Sequence, residues 1–276
     1  MSSGSMRLKE KIRNYAKENG ITAQVVLQNY MFERFLVRLS SSSYSQNFII
    51  KGGILVAAIV GLDTRSTMDL DATIRNLPMT DENMMTALTE ICSIKADDGI
   101  LFHLLSLRPI RREDPYGGLR AQLEAVFETI VTPLSVDIST GDIITPNAVR
   151  YEIRGMFDDG IRITLWGYSI ETVPAEKIET ILSRGIFNTR SKDFYDIYIL
   201  TRTTSYDPAL FTEALQATSE HRGSKAVLDS TEGSLQVISE SIVLQESWNK
   251  YRAQYSYASD IPYENVMSAI KELLLR

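Results

Sequence analysis

The chain has 276 residues, 44% hydrophobic and 23% charged, a balance that suits an ordinary globular fold of one large or two modest domains. Its net charge of −6 argues against a protein that coats nucleic acid through clustered Lys and Arg, but not against an enzyme that meets RNA through a local patch. The longest apolar stretch, ILVAAIVGL, is too short to span a bilayer. The single cysteine, Cys92, rules out an intrachain disulfide and is expected to pack in a helix as a small apolar residue. The two histidines, His103 and His221, lie too far apart in sequence to suggest a zinc site. A reducing cytoplasm is the expected compartment. The opening MSSGSM has neither the basic start nor the apolar core of a signal peptide, and is set aside from the fold reading.

In chain order, residues 7–19 and 22–40 read as two helices, the second with apolar residues three and four apart, ended by the serine run at 41–45. Asn47–Ile50 reads as a first strand, Lys51–Gly53 as a turn and Ile54–Gly61 as a short helix. An Arg65-Ser66-Thr67 loop leads to a second strand, Asp69–Ile74. After Pro78, Thr80 is placed to cap a helix running to about Lys95.

From 99 to 170 the pattern turns to strands: ILFHLLSLRPI, GLRAQLEAVFETI, PLSVDIST, and two shorter runs about an Asp158-Asp159-Gly160 turn, the second the alternating IRITLWGYSI. Beyond Pro174 the chain reads as helical, with segments near 175–185, 191–202, 207–221, 231–246 and 262–275. The expected organisation is a mixed α/β domain over 1–170 and a helical domain over 171–276.

The chemistry concentrates in three places. Asp69 and Asp71 are two apart on a strand-like run, which directs both carboxylates to one side while Leu70 turns to the core. Paired carboxylates repel unless a cation lies between them, and oxygen-only ligands suit Mg²⁺ with substrate phosphates. The Gly52-Gly53 turn ahead of them can bring backbone N–H groups to a phosphate. In PLSVDISTGD, Leu134, Val136 and Ile138 alternate with Ser135, Asp137 and Ser139. Asp137 is therefore a mid-strand carboxylate that could complete a three-carboxylate, two-metal site. The competing reading is a strand Asp paired to a neighbouring Arg. Asp142, after Gly141, reads as a turn residue.

The third place opens the helical half. Lys177 and Arg184 are seven apart on one helix face, and Arg190, Lys192, Asp193 and Asp196 follow. These cations could line the far wall of an interdomain cleft and hold a triphosphate. The alternatives are a salt-bridged exposed helix pair, or acids placed for the helix dipole. Arg108, Arg111, Arg112 and Arg120 form a candidate basic patch, more ordinarily read as a solvated connection between strands.

Together these motifs resemble the AbiEii family, the toxin half of AbiE-type (type IV) toxin–antitoxin systems. The first motif of that family matches at Gly52, Gly53, Arg65, Thr67, Asp69 and Asp71, its third acidic strand at Asp137, its K-x6-R motif at Lys177 and Arg184, and its R-x-K-D-x-x-D motif at Arg190, Lys192, Asp193 and Asp196. The resemblance covers roughly residues 25–200, and the last seventy or so carry no matching motif. The fifteen residues between Gly53 and Asp69 make a longer gap than is usual in DNA polymerase beta-type enzymes.

The resemblance implies an α/β (α+β) polymerase-beta-like lobe with a mixed sheet, plus a C-terminal helical lobe. It implies Mg²⁺ (or Mn²⁺) held by Asp69, Asp71 and Asp137, with Lys177 and Asp193 in the catalytic set. Gly52, Gly53, Arg65, Ser66, Thr67, Arg184, Arg190, Lys192 and Asp196 would serve the nucleotide. The implied substrate is GTP or a pyrimidine NTP, the implied acceptor the 3′ end of tRNA, and the implied partner an AbiEi-type antitoxin. Growth arrest and phage defence by abortive infection follow from such an activity. Two rivals share the donor site: nucleotide transfer onto a protein side chain, and a GTP-binding interaction module without chemistry.

Overall fold

The computed structural model describes residues 3–110, 117–157 and 160–274. Two compact units are present: one comprises the chain to Asp142 with Val149–Gly167, the other Ile143–Ala148 with the chain from Tyr168. The candidate turn at Asp158-Asp159 and the patch residues Arg111 and Arg112 lie outside the described residues.

The first unit is a mixed seven-stranded sheet with helices. It runs α1 (Gly4–Glu18), α2 (Ala23–Ser41), β1 (Phe48–Lys51), α3 (Gly52–Val60), β2 (Leu70–Ile74), α4 (Asp81–Ser93), β3 (Leu101–Pro109), β4 (Leu119–Phe127), β5 (Ile130–Thr140), β6 (Val149–Arg154) and β7 (Arg162–Gly167). The strand order is β3-β4-β5-β2-β1-β7-β6. β2 pairs β5 and β1 pairs β7 in parallel; the other neighbours are antiparallel. Along β5 the expected alternation holds, with Leu134, Val136 and Ile138 buried and Ser135, Asp137 and Ser139 half-buried on the opposite side. Phe32, Phe35 and Leu39 of α2, Leu88 and Ile91 of α4, and Leu123 of β4 join them in the core.

Several boundaries differ from expectation for local reasons. The opening segment belongs to the fold: Ser3 caps α1 by accepting from the Met6 N–H, and the distant Glu128 carboxylate accepts from the Gly4 and Ser5 N–H groups, both at 3.0 Å. An acid at a helix N-terminus satisfies donors that have no partner within the helix. Gly52 and Gly53 are not a free turn but the first residues of α3, entered through a left-handed Gly52 (φ +64°). β2 begins at Leu70, so Asp69 stands one residue ahead of the strand. Cys92 lies in α4, and burial pushes its thiol up to about 11.

The second unit is helical: α5 (Thr172–Arg184), α6 (Ser191–Thr203), α7 (Pro208–His221), α8 (Thr231–Glu240), α9 (Ile242–Gln254) and α10 (Tyr263–Leu274). Ile178, Ile181, Phe194, Tyr195, Ile197, Trp248 and Ile270 form its core. The helix expected over 231–246 is two helices. Ser241 adopts an extended conformation (ψ 112°) and its hydroxyl accepts from the Leu244 N–H, capping a new helix where apolar periodicity alone would continue the old one. Among the described residues no helix is long and apolar enough to cross a membrane.

Candidate functional site

Strand register builds the first cluster. Lys51 of β1 faces Asp71 of β2, Asp71 faces Asp137 of β5, Asp137 faces Arg120 of β4, and Arg120 faces Arg108 of β3. Residues directly opposite across a sheet share a side. Five strands thus carry one row reading Arg108, Arg120, Asp137, Asp71, Lys51. The two acids come from strands 66 residues apart in sequence and are adjacent because β2 and β5 pair in parallel. Asp69 is exposed at the head of the row; its carbonyl accepts from the Thr67 hydroxyl at 3.3 Å, so the loop, not the pleat, sets its direction.

Asp137 has a guanidinium partner. Arg120 forks onto it, Nε to Oδ1 and Nη2 to Oδ2, both at 2.6 Å. That pairing raises the basicity of Arg120, and the charges of Asp69 and Asp71 add to the effect. Both Asp69 and Asp71 therefore lie within electrostatic reach of the same cation. At the other end of the row Lys51 pairs with Asp142, which also accepts from the Ser139 hydroxyl at 2.7 Å. Asp142 thus links β5 to β1.

The glycines fit this cluster closely. A Cβ on Gly52 would collide with Oδ2 of Asp71 and stand 2.9 Å from its Cγ. A Cβ on Gly53 would stand 2.7 Å from the Thr67 hydroxyl and 3.2 Å from Nη2 of Arg65. The start of α3 therefore packs directly on Asp71 and on the loop before Asp69. That loop is gripped from α2: Asn29 Nδ2 donates to the Thr67 carbonyl at 2.7 Å, and Gln28 Nε2 to the Met68 carbonyl at 2.9 Å. Arg65 and Ser66 are buried, with Arg65 donating to the Ser66 carbonyl, whereas Thr67 is half-buried. Sequence reasoning missed Gln28 and Asn29; the available signal was two adjacent amides on a helix otherwise rich in apolar residues.

The second cluster lies in the helical unit. Lys177 of α5 reaches Asp193 at 3.0 Å and Asp196 at 2.7 Å, and Arg190 reaches Asp193 at 3.2 Å. Asp193 is 3% exposed and Asp196 0%, so these acids are not part of a solvated helix surface. Asp193 also sits in the first turn of α6, where the helix dipole favours an anion. Lys177 is thereby fixed between two buried carboxylates. Arg184 and Lys192 are exposed and, among the described residues, stand outside this network.

Asp69, Asp71 and Asp137 offer the all-oxygen donor set of a hard divalent cation, and the attraction of Arg120 to all three marks a region that favours positive charge. The residues fit such an ion in chemistry. In geometry, no three acidic, His or Cys side chains among the described residues are gathered tightly enough to hold one. Asp137 is turned onto Arg120 instead.

Residues 34–270 match the nucleotidyl transferase AbiEii toxin family of type IV toxin–antitoxin systems. The chain belongs to the AbiEii family. No curated protein matches it in sequence. Among solved structures it is similar to JHP933 from Helicobacter pylori, with a TM-score of 0.50 and 14% identity over 92% of this chain and 93% of that one. A second H. pylori protein, carried as a candidate nucleotidyltransferase, gives a TM-score of 0.50 and 14% identity over 92% and 96%. At that identity the likeness concerns the fold, which is that of the nucleotidyltransferases. The family match carries the class: a nucleotidyl transfer enzyme of a toxin–antitoxin pair, with an NTP substrate and an antitoxin partner. The AbiEii match runs on to residue 270, through the last C-terminal helices, where the sequence offered no recognisable motif.

Proposed function

We propose that this AbiEii toxin transfers a nucleotide from an NTP, GTP or a pyrimidine nucleotide, to the 3′ end of tRNA, and so arrests growth when its AbiEi-type antitoxin is absent. In a phage-infected cell the same arrest would serve as abortive infection. The observation that supports the chemistry is the register pairing of Asp71 with Asp137, with Gly52 packed on the Asp71 carboxylate.

In this reading Asp69, Asp71 and Asp137 would hold Mg²⁺, or Mn²⁺ in its stead, and the ion would supply charge neutralisation at the triphosphate and at the attacking oxygen. Asp137 draws the proton from the acceptor hydroxyl. The freed oxygen attacks the α-phosphorus, a new P–O bond forms, and the bond to pyrophosphate breaks. Gly52 and Gly53 leave the start of α3 open to the phosphates, with Thr67 beside them. Arg65 and Ser66 shape that loop from within, consistent with their burial. From the helical unit we assign Lys177, Arg184, Arg190 and Lys192 to the negative charge of the triphosphate and the departing pyrophosphate. Asp193 and Asp196 hold Lys177 in one rotamer, so its ammonium needs no reorganisation during the reaction.

The test is growth. Induced without its antitoxin, the wild-type chain is expected to arrest the host, and an Asp69→Ala, Asp71→Ala double variant expressed to the same level is expected to be harmless. Equal toxicity of the two would overturn the carboxylate mechanism.

A further inference from the structure

We propose that Arg120 is the resident counterion of Asp137, and that a divalent cation must displace it to recruit this carboxylate. The inference rests on the assignment of Asp69, Asp71 and Asp137 to a metal. One guanidinium engages both oxygens of Asp137 at 2.6 Å. A bidentate fork of this kind fixes a full positive charge against the oxygens that a dication would need. Approach of the dication is therefore opposed until the fork opens.

The pair is built to open. The Arg120 side chain is 48% exposed and that of Asp137 21%, so the guanidinium can withdraw into water without leaving a buried charge behind. Exposed pairs add little to folding, and this one bridges two strands already joined along nine residue pairs. Its position is better explained by what it does to Asp137. On its other side Arg120 faces Arg108, and like charges directly opposite repel. That repulsion favours the lean of Arg120 toward Asp137. Asp71, the row neighbour of Asp137, packs against Gly52, and Lys51, opposite it on β1, also pairs with Asp142. Asp137 thus joins a metal only when the Arg120 fork yields.

The experiment is a Mn²⁺ titration of the full-length protein followed by electron paramagnetic resonance, with no nucleotide or RNA present. Arg120→Gln is expected to bind Mn²⁺ about twofold to fivefold more tightly than wild type, the size of an exposed ion pair. The gain should vanish when Asp137→Asn is added, and Arg120→Lys, which keeps the charge but not the fork, should fall between. Thermal melting of each variant separates these effects from loss of fold. Equal or weaker binding by a folded Arg120→Gln variant would overturn the proposal. If Asp69→Asn, Asp71→Asn abolishes binding while Arg120→Gln leaves it unchanged, the counterion role alone fails. If Mn²⁺ binding survives in that double variant, the metal assignment fails and the proposal with it.

Discussion

Replacing Gly52 with Ala perturbs the point where the fold and the carboxylates meet. Gly52 has φ +64°, a conformation that costs a residue with a Cβ about 1–2 kcal/mol. The added methyl would also stand 2.9 Å from Cγ and 3.0 Å from Cβ of Asp71, closer than real Cβ contacts come. The aspartate must leave its rotamer, at about 0.5–1.5 kcal/mol. The sum is about 1.5–3.5 kcal/mol of stability, readable as a lower urea midpoint with an unchanged slope. Nucleotide transfer should fall further, about a hundredfold, because Asp71 is displaced on the scale that ruins catalytic alignment. Gly53→Ala is the internal control. Its φ is not left-handed, and its nearest neighbour is the Thr67 hydroxyl, a group that can rotate, so the loss should be about 1 kcal/mol. A Gly52→Ala variant as stable and as active as wild type would refute the close packing of α3 on Asp71.

Three further outcomes are expected. Lys177→Met leaves the buried Asp193 and Asp196 without their shared ammonium and should cost about 3–5 kcal/mol by urea unfolding, with partial recovery when Asp196→Asn is added. Asp98→Ala strands the buried Arg38 guanidinium, which it meets at 2.8 and 2.9 Å, and should cost a similar amount. Burial pushes the Asp98 carboxyl up, but hydrogen bonds from Arg38 and the Ile100 N–H outweigh it and hold the group below the usual carboxylate range. Its contribution is therefore full above that range and lost as pH falls through the depressed folded value; in Asp98→Ala this part of the acid dependence should disappear from unfolding curves. Cys92, its thiol pushed up to about 11 by burial, should resist thiol reagents at about pH 8 in the folded protein and react promptly in urea. Because its folded value is raised, its share of stability holds below the unfolded range near 9 and is lost as pH climbs toward 11.

The sequence disclosed what depends on local pattern. The period-two alternation of β5 put Asp137 on the side away from Val136 and Ile138, and the order of the acidic and basic motifs identified the AbiEii family. Long-range partners were not legible. Nothing near residues 3–6 announces that Glu128 will cap α1, since the donor and acceptor are 124 residues apart. Arg120 looked like one member of a loose basic patch. Only the β4–β5 register sets it opposite Asp137, the paired Asp–Arg reading that sequence left open. The same holds for Asp193 and Asp196: helix spacing could not reveal that both would be buried around Lys177 from the preceding helix. Ser241 shows the converse, a single polar residue whose cap broke a periodic run in two.

The most direct test of the account is label transfer. Purified protein is incubated with Mg²⁺, total tRNA and each NTP in turn, radiolabelled at the α-phosphate, and the products are resolved on a denaturing gel. The account predicts label on tRNA with one nucleotide class, lost in Asp69→Ala. Label on protein, or none anywhere while GTP still binds, would contradict it.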